Sequence, residues 1–330
     1  MVDLSVIIPT FNRAEFLPSV VASIDAGGIA DVEIVVVDDG STDDTEAAVA
    51  KLGVKYVRQS NAGPAAARNT GAAVAAGRYL AFLDSDDLWL RGVAAQAVAV
   101  LDRHPEIAAV FTDAEITNGP VRSFLTWPGR PGIDDIPAQR PEPNVRTFDP
   151  GALLQRLVER NFIFLGSLIV RRETFTISEG FDSAFFGTED WEFCLRLAAR
   201  HSLGFFGTPL AACVRHENNL SSNTDRMQAD SCRTLLKLRS DPTPQVAALR
   251  GWIDQKLNRQ LFDYAYLAYG RGDYPEARQR FRHQMQTCGW GLKPLAFWTT
   301  CSLPAGVTRR LRGIKKFFQR EPAQIAGCSS

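Results

Sequence analysis

Glu33-Ile34-Val35-Val36-Val37-Asp38-Asp39-Gly40-Ser41-Thr42-Asp43 is the stretch on which the fold turns. Its first five residues form an apolar, β-branched run without alternation, as a strand covered on both faces of a parallel sheet requires. The run stops at two carboxylates and a glycine, and Ser41-Thr42-Asp43-Asp44 then supplies good helix-opening chemistry. The same sequence of events recurs on either side. Leu4–Ile8 is a short apolar run followed by helical spacing over Ala14–Asp25, with Phe16, Leu17, Val20, Val21 and Ile24 on one side. Val54–Val57 precedes an Ala-rich helix over Pro64–Ala75, with Pro64 in its first turn. Tyr79–Leu83 is a fourth strand and ends in Asp84-Ser85-Asp86-Asp87. Strand and helix alternate, which predicts a doubly wound α/β sheet with its ligand site at the carboxyl ends of the strands. Thr10, Asn12, Asp38, Asp39, Asp84 and Asp86 all fall at such ends.

Further along, Ile107–Asp113 reads as a strand. Seven prolines between Asn118 and Pro150 predict a long irregular loop of the kind that forms lids or binding loops. A helix near Ala152–Arg160, a strand at Ser167–Val170 and a helix opening at Glu189-Asp190-Trp191 follow. Leu203–Phe206 and Ala211–Arg215 read as two short strands. Beyond about residue 225 the strands stop, and Gln245–Tyr269 and Tyr274–Gln286 have helical spacing. The chain therefore divides into an α/β domain over 1–224 and a helical extension over 225–330. Ala268 to Ala277 resembles one tetratricopeptide-type hairpin, too few repeats for a solenoid.

Composition bounds the function. The 330 residues are 45% hydrophobic and 22% charged, which excludes bulk disorder. Lys+Arg and Asp+Glu are both 37, so there is no basic excess of the kind a nucleic-acid binder carries. The six cysteines form no Cys-x-x-Cys pair, which argues against a zinc site and for a reducing compartment. No secretory signal precedes Leu4, and no apolar run reaches the ~18 residues of a membrane span. The expected location is the cytoplasm.

The carboxylates carry the chemistry. Asp84 and Asp86 emerge together from an apolar strand and need a cation or donors to neutralise them. A hard divalent ion, Mn²⁺ or Mg²⁺, suits two such oxygens plus phosphates and water. The same turn would also serve to cap a helix starting near Leu88. Asp38 and Asp39 can accept from a nucleobase N–H or a ribose hydroxyl, or can simply shape a turn with Gly40 and Ser41. Arg68, one turn into its helix, brings a guanidinium to the same sheet edge, or pairs on the surface. Glu189 and Asp190 sit in a helix's first turn, where the macrodipole favours negative charge. Either could also act as a general base toward a hydroxyl. His216 is a further candidate contact to metal or phosphate.

Read in order, these pieces resemble family 2 glycosyltransferases of the GT-A fold. The resemblance rests on Leu4-Ser5-Val6-Ile7-Ile8-Pro9-Thr10-Phe11-Asn12-Arg13, on Glu33 to Asp43, on Asn61-x-Gly63 with Ala67-Arg68-Asn69-x-Gly71, on Gly77 to Asp87, and on Phe181-Asp182 with Thr188-Glu189-Asp190-Trp191-Glu192. It covers about residues 4–220. It implies a nucleotide-diphosphate-sugar donor (a UDP-sugar), a divalent metal and inverting transfer to a hydroxyl on a saccharide or lipid-linked acceptor, in cell-surface polysaccharide or glycolipid synthesis. Pro9, Thr10 and Phe11 would border the nucleobase and Asp39 would bind it. Arg68 would flank the nucleotide, and Asn12, Asp38 and Ser85 would complete the donor side. Asp84 and Asp86 would form the Asp-x-Asp metal site, with Asp86 the direct ligand, and His216 an additional one. Asp190 would be the base, with Glu189 the fallback, and the proline-rich stretch would face the acceptor. Two other readings stay open: a sugar-nucleotide nucleotidyltransferase, and an inactive transferase-like scaffold.

The tail has its own pattern. Between Ala277 and Arg320 there are ten Lys or Arg and no Asp or Glu. Val307, Leu311, Ile314, Phe317 and Phe318 would form one stripe of a helix, with basic residues elsewhere. Such a helix over 305–320 is expected to lie on an anionic membrane surface and to make the protein peripheral.

Overall fold

The computed structural model describes residues 2–24, 29, 31–90, 92–118, 121–126, 133–215, 224–304 and 306–308. The chain forms two compact units, divided after Ile253.

The first unit is built on β1 (Leu4–Thr10), which pairs in parallel with β2 (Val32–Asp38) on one side and β4 (Tyr79–Phe82) on the other. β3 (Lys55–Arg58) extends the parallel run beyond β2. Next come β5 (Leu88–Trp89), β6 (Ile107–Asn118), β7 (Val121–Thr126), β8 (Gln139–Glu142), β9 (Val145–Phe148), β10 (Leu168–Arg171) and β11 (Ser202–Arg215). The spatial order is β3-β2-β1-β4-β10-β6-β11-β9-β8, with β5 on β11 and β7 on β6. β10 runs antiparallel to both β4 and β6, so the sheet is mixed.

Helices cover both faces, which is why the central strands show no alternation. Leu4, Val6 and Ile8 of β1 enter a core with α1 (Leu17–Ser23), α2 (Thr45–Val49) and α4 (Val93–Arg103). Ile7 and Val37 face the other way, toward α3 (Pro64–Val74). On that face Phe82 packs on Phe175 of α6 (Arg172–Ile177) and on Phe181, with ring centroids 5.1 and 4.8 Å apart. Phe193 of α7 (Glu189–Arg200) closes the cluster, 4.8 Å from Phe181. α5 (Leu154–Glu159) lies near α7, whose Trp191 Nε1–H donates to the Leu157 carbonyl at 2.7 Å. α8 (Thr224–Arg239) and α9 (Pro244–Ala248) belong to this unit. Thr188 and Thr234 share a buried hydrogen bond of 2.9 Å that ties α8 to the start of α7. That packing carries the unit past the composition change at 224.

Three expectations are corrected. The proline-rich stretch is not one irregular loop, since it holds β7, β8 and β9. Pro141 fits because β8 is the terminal strand, where a missing N–H costs no ladder bond. The two short strands near 203 and 211 are one strand, β11, with a register shift between Phe206 and Ala211. No helix starts at Leu88, because Leu88-Trp89 pairs with Ala211-Ala212 and α4 begins only at Val93.

The second unit contains α10 (Arg250–Arg271) in large part, α11 (Tyr274–Cys288) and α12 (Leu292–Thr300). Asp273 caps α11 by accepting from the Glu276 N–H at 3.1 Å. Phe281, Phe297, Tyr269 and Ala277 form the shared core. Among the described residues no helix is long and apolar enough to cross a membrane.

α3 sits so close to β1 and β2 that a Cβ on Gly71 would strike Ile7 and lie 3.0 Å from Val37. Both neighbours are strand residues with no room to retreat. Gly71→Val should therefore destabilise the protein by roughly 3 kcal/mol or more, above the usual overpacking range because two central strands must shift. A urea midpoint equal to that of the parent would contradict this packing.

Candidate active site

The carboxyl ends of β1 and β2 are locked to each other. The Asp39 N–H donates to the Thr10 carbonyl at 2.9 Å. Asn12 lies in the left-handed region, φ 53. Its N–H donates to Ser41 Oγ at 2.9 Å, and its Oδ1 accepts from the Thr42 N–H at 2.8 Å. Asp38 is fully buried and accepts from the Ser41 N–H and the Tyr56 hydroxyl, both at 2.7 Å. Burial first, then Asp38, pushes the Tyr56 phenol up to about 12. Asn12 and Asp38 are thus committed within the loops. Neither lines the cavity described next.

A cavity of about 550 Å³ opens over the sheet edge. Pro9, Thr10, Phe11 and Asp39 form one end. Asp39 accepts from Gln59 Nε2 at 2.7 Å and from the Ala62 and Gly63 N–H groups at 2.8 Å, so it also shapes the Asn61–Gly63 rim. Gly63, at φ 88, leads directly into α3.

Arg68 stands at the centre. It is buried, donating through one Nη to Asp84 Oδ1 at 2.6 Å and through the other to Glu189 Oε1 at 2.7 Å. Its guanidinium also lies 5.5 Å from the Phe181 ring centroid. Burial works against its charge, but Asp84 and Glu189 outweigh it and hold the pKa above the ordinary arginine value. The adjacent Asn69 fixes the approach to α7: its amide donates to the Phe181 carbonyl at 2.7 Å and its Oδ1 accepts from the Phe181 N–H at 2.9 Å.

Asp84, Ser85 and Asp86 line the cavity where the chain leaves β4. The Asp87 N–H donates to the Asp84 carbonyl at 3.0 Å, making a tight turn rather than a helix cap. Asp84 keeps 40% of its side chain exposed, and Asp86 accepts from Arg13 at 2.6 Å. Among the described residues no three His, Cys, Asp or Glu side chains converge as a ready metal cage. His216 lies outside the described residues.

Glu189 and Asp190 reach the cavity from the first turn of α7. Asp190 is half-buried, with Oδ1 accepting from the Trp191 N–H at 2.6 Å and Oδ2 from Asn161 Nδ2 at 3.0 Å. Burial, and then the charge of Glu189, pushes its carboxyl up to about 7. Three buried polar atoms on the cavity residues have no hydrogen-bond partner: Thr10 Oγ1, Arg68 Nε and Glu189 Oε2.

Phe164, Leu165, Phe186, Cys213 and Met227, from distant parts of the chain, add apolar lining. Sequence reasoning missed it, since scattered hydrophobic residues carry no local motif. It also missed Arg13 and Asn161. Only Arg13 had a signal, a cation beside an acidic strand edge.

Residues 5–160 match the sequence profile of glycosyl transferase family 2. An uncharacterized glycosyltransferase of Rickettsia conorii is 45% identical over 92 residues, 27% of this chain and 15% of the relative. The GalNAc(5)-diNAcBac-PP-undecaprenol beta-1,3-glucosyltransferase of Campylobacter jejuni is 41% identical over 99 residues, 28% of this chain and 32% of the relative. The chain thus spans less than a third of the length of these two relatives. The crystal structure of S. aureus TarS 1-349 in complex with UDP-GlcNAc is similar in fold, with a TM-score of 0.61 at 17% identity, over 98% of this chain and 94% of that one. The mixed sheet is of the GT-A type, and residues 5–160 carry the pattern of glycosyl transferase family 2.

Proposed function

We propose that the protein is an inverting glycosyltransferase that moves a sugar from a nucleoside-diphosphate sugar, UDP first among them, to a hydroxyl acceptor. The observation that carries this reading is the Arg68 bridge between Asp84 and Glu189. It joins the Asp-x-Asp turn to the Glu-Asp pair across one cavity. The uncharacterized Rickettsia relative is named a glycosyltransferase, the Campylobacter one acts on an undecaprenol-linked saccharide, and TarS was crystallised with UDP-GlcNAc. By likeness to these, the acceptor belongs to glycolipid or cell-surface polysaccharide synthesis. The apolar lining of Phe164, Leu165 and Met227 suits the acceptor side.

Asp39, with Thr10 and Phe11, holds the nucleobase end of the donor. Asp84 and Asp86 fit a hard divalent ion, Mn²⁺ or Mg²⁺, of the kind held by one or two carboxylates together with substrate phosphates. Such an ion, when bound, offsets the charge of the departing diphosphate. Arg68 keeps Asp84 and Glu189 in register and brings positive charge to the same place. Asp190 takes the proton of the acceptor hydroxyl, and the freed oxygen pair forms the bond to the anomeric carbon. The bond from that carbon to the diphosphate oxygen breaks, its electrons leave with the nucleoside diphosphate, and a single displacement inverts the centre. Asn161 orients Asp190 for this task. A pKa near 7 matches a base that works at neutral pH.

Screening UDP- and GDP-sugars with Mn²⁺ for nucleotide release and for a rise in melting temperature tests the reading directly. No release and no thermal shift with any donor would overturn it. Asp86→Ala should abolish turnover while the protein stays folded, with a melting temperature lowered by a few degrees because Arg13 loses its partner. Near-normal, metal-dependent turnover would reject the Asp-x-Asp assignment.

Asp190→Asn should lower kcat by about 10²–10⁴-fold with donor KM nearly unchanged. The parent's kcat should rise with pH through about 7, as Asp190 loses its proton. Stability should move the other way. Folded, Asp190 holds its proton to about 7, against 3.8 for an ordinary Asp, so the folded chain binds more protons between those values and loses stability as pH rises. The Asn variant has no such loss. Its melting temperature relative to the parent should climb between pH 4.5 and 7.5 and then level off. A constant gap would show that Asp190 titrates normally.

A further inference from the structure

We propose that the helical unit carries a membrane-docking ridge, formed by Trp290 and the outer face of α12, that seats on an anionic phospholipid surface. The inference uses no catalytic residue and stands whether or not the transferase reading holds.

α11 ends at Cys288, and Gly289 and Gly291 bracket Trp290 in the turn to α12. Trp290 is 72% exposed and Leu292 90%. Trp290 lies in the turn and Leu292 opens α12. Leu292, Ala296 and Thr299 share the outer face of α12 at spacings of four and three, and the exposed Leu303 follows. No charged side chain interrupts that line. The inner face of the same helix is also apolar, with Pro294, Phe297 and Cys301 buried. A helix apolar on both faces needs a second cover besides its own core.

The charges around the ridge identify the cover. Lys293 adjoins it, its Nζ 4.2 Å from the Phe262 ring centroid. Arg278 and Arg282 lie exposed on α11, Arg278 stacked 5.3 Å from the Trp298 ring. From Ala277 to Arg320 the chain has ten basic residues and no carboxylate. Asp263 also lies near Lys293, but Lys293, Arg278 and Arg282 outnumber it, and a patch apolar at its crest with a cationic excess at its margins complements a bilayer with anionic headgroups over acyl chains. An indole at the crest suits the headgroup boundary, where its ring and its N–H find different surroundings. A second copy would bring the same cations face to face, so self-association on this face works against its own charge.

The test is cosedimentation of the full chain with vesicles of phosphatidylcholine alone, and of phosphatidylcholine with one quarter phosphatidylglycerol. The parent should bind the anionic vesicles at low salt and leave them as salt rises. Trp290→Ser with Leu292→Ser should weaken binding by about tenfold or more, since two exposed apolar side chains lose their burial. Both positions are exposed, so the melting temperature should be unchanged. Lys293→Glu with Arg282→Glu should remove the preference for anionic vesicles. Any of three results overturns the proposal: no binding of the parent to either vesicle, ridge-variant binding equal to the parent (which would leave the tail beyond 308 as the anchor), or a ridge variant that changes only the sedimentation coefficient, which would make a second copy the occupant.

Discussion

A single buried guanidinium organises this protein's site. Arg68 is held in α3, Asp84 follows β4, and Glu189 opens α7, so one side chain ties together three elements separated by as many as 121 residues. Two carboxylates facing one cavity repel each other, and Arg68 between them makes the arrangement tolerable. Removing one partner of such a pair leaves an uncompensated buried charge, commonly about 3–5 kcal/mol of destabilisation. Asp190 sits just outside this balance. It feels burial and the charge of Glu189 more than it feels Arg68, and so its carboxyl is pushed up to about 7. The two adjacent acids thus differ in surroundings: Glu189 is paired with Arg68, and Asp190 is the one whose carboxyl burial and its neighbour push up.

The rest of the unit serves to hold that network still. The loops after β1 and β2 are stitched to each other through Asn12, Ser41, Thr42 and Asp38, which leaves Asp39 facing the cavity. Asn69 anchors the segment before α7 to α3, next door to Arg68. Gly71 lets α3 lie close enough to the sheet for Arg68 to reach its partners. The stretch Arg68-Asn69-x-Gly71 therefore does three separate jobs within one turn of helix.

Much of this was legible in the residues. The unalternating strands, the polar punctuation after each, and the helical spacing between them are local consequences of which faces are covered. The cavity's composition was legible too, because carboxyl ends of parallel strands converge by topology, and Thr10, Asp39, Asp84 and Asp86 all lie there. What the residues leave open is partition within a motif. Asp38 and Asp39 are neighbours of the same type, yet one is spent on Ser41 and Tyr56 and the other lines the cavity. A strand sends successive side chains to opposite sides, and only the loop's actual path decides which side meets the ligand. The edge of the sheet is obscure for a related reason: Pro141 looks like a breaker until the terminal place of β8 is known.

The amino-acid sequence by itself determined the alternating α/β architecture, the helical C-terminal third, and the candidate chemistry at the strand ends, because periodicity and residue type act over a few neighbouring positions. Only the tertiary structure decided that Arg68 spans Asp84 and Glu189, that Arg13 meets Asp86, that Phe164, Phe186 and Met227 line one cavity, and that Trp290 stands exposed just before α12. Those facts depend on where distant segments meet, and on how burial and charge are shared once they do, and no local pattern encodes either.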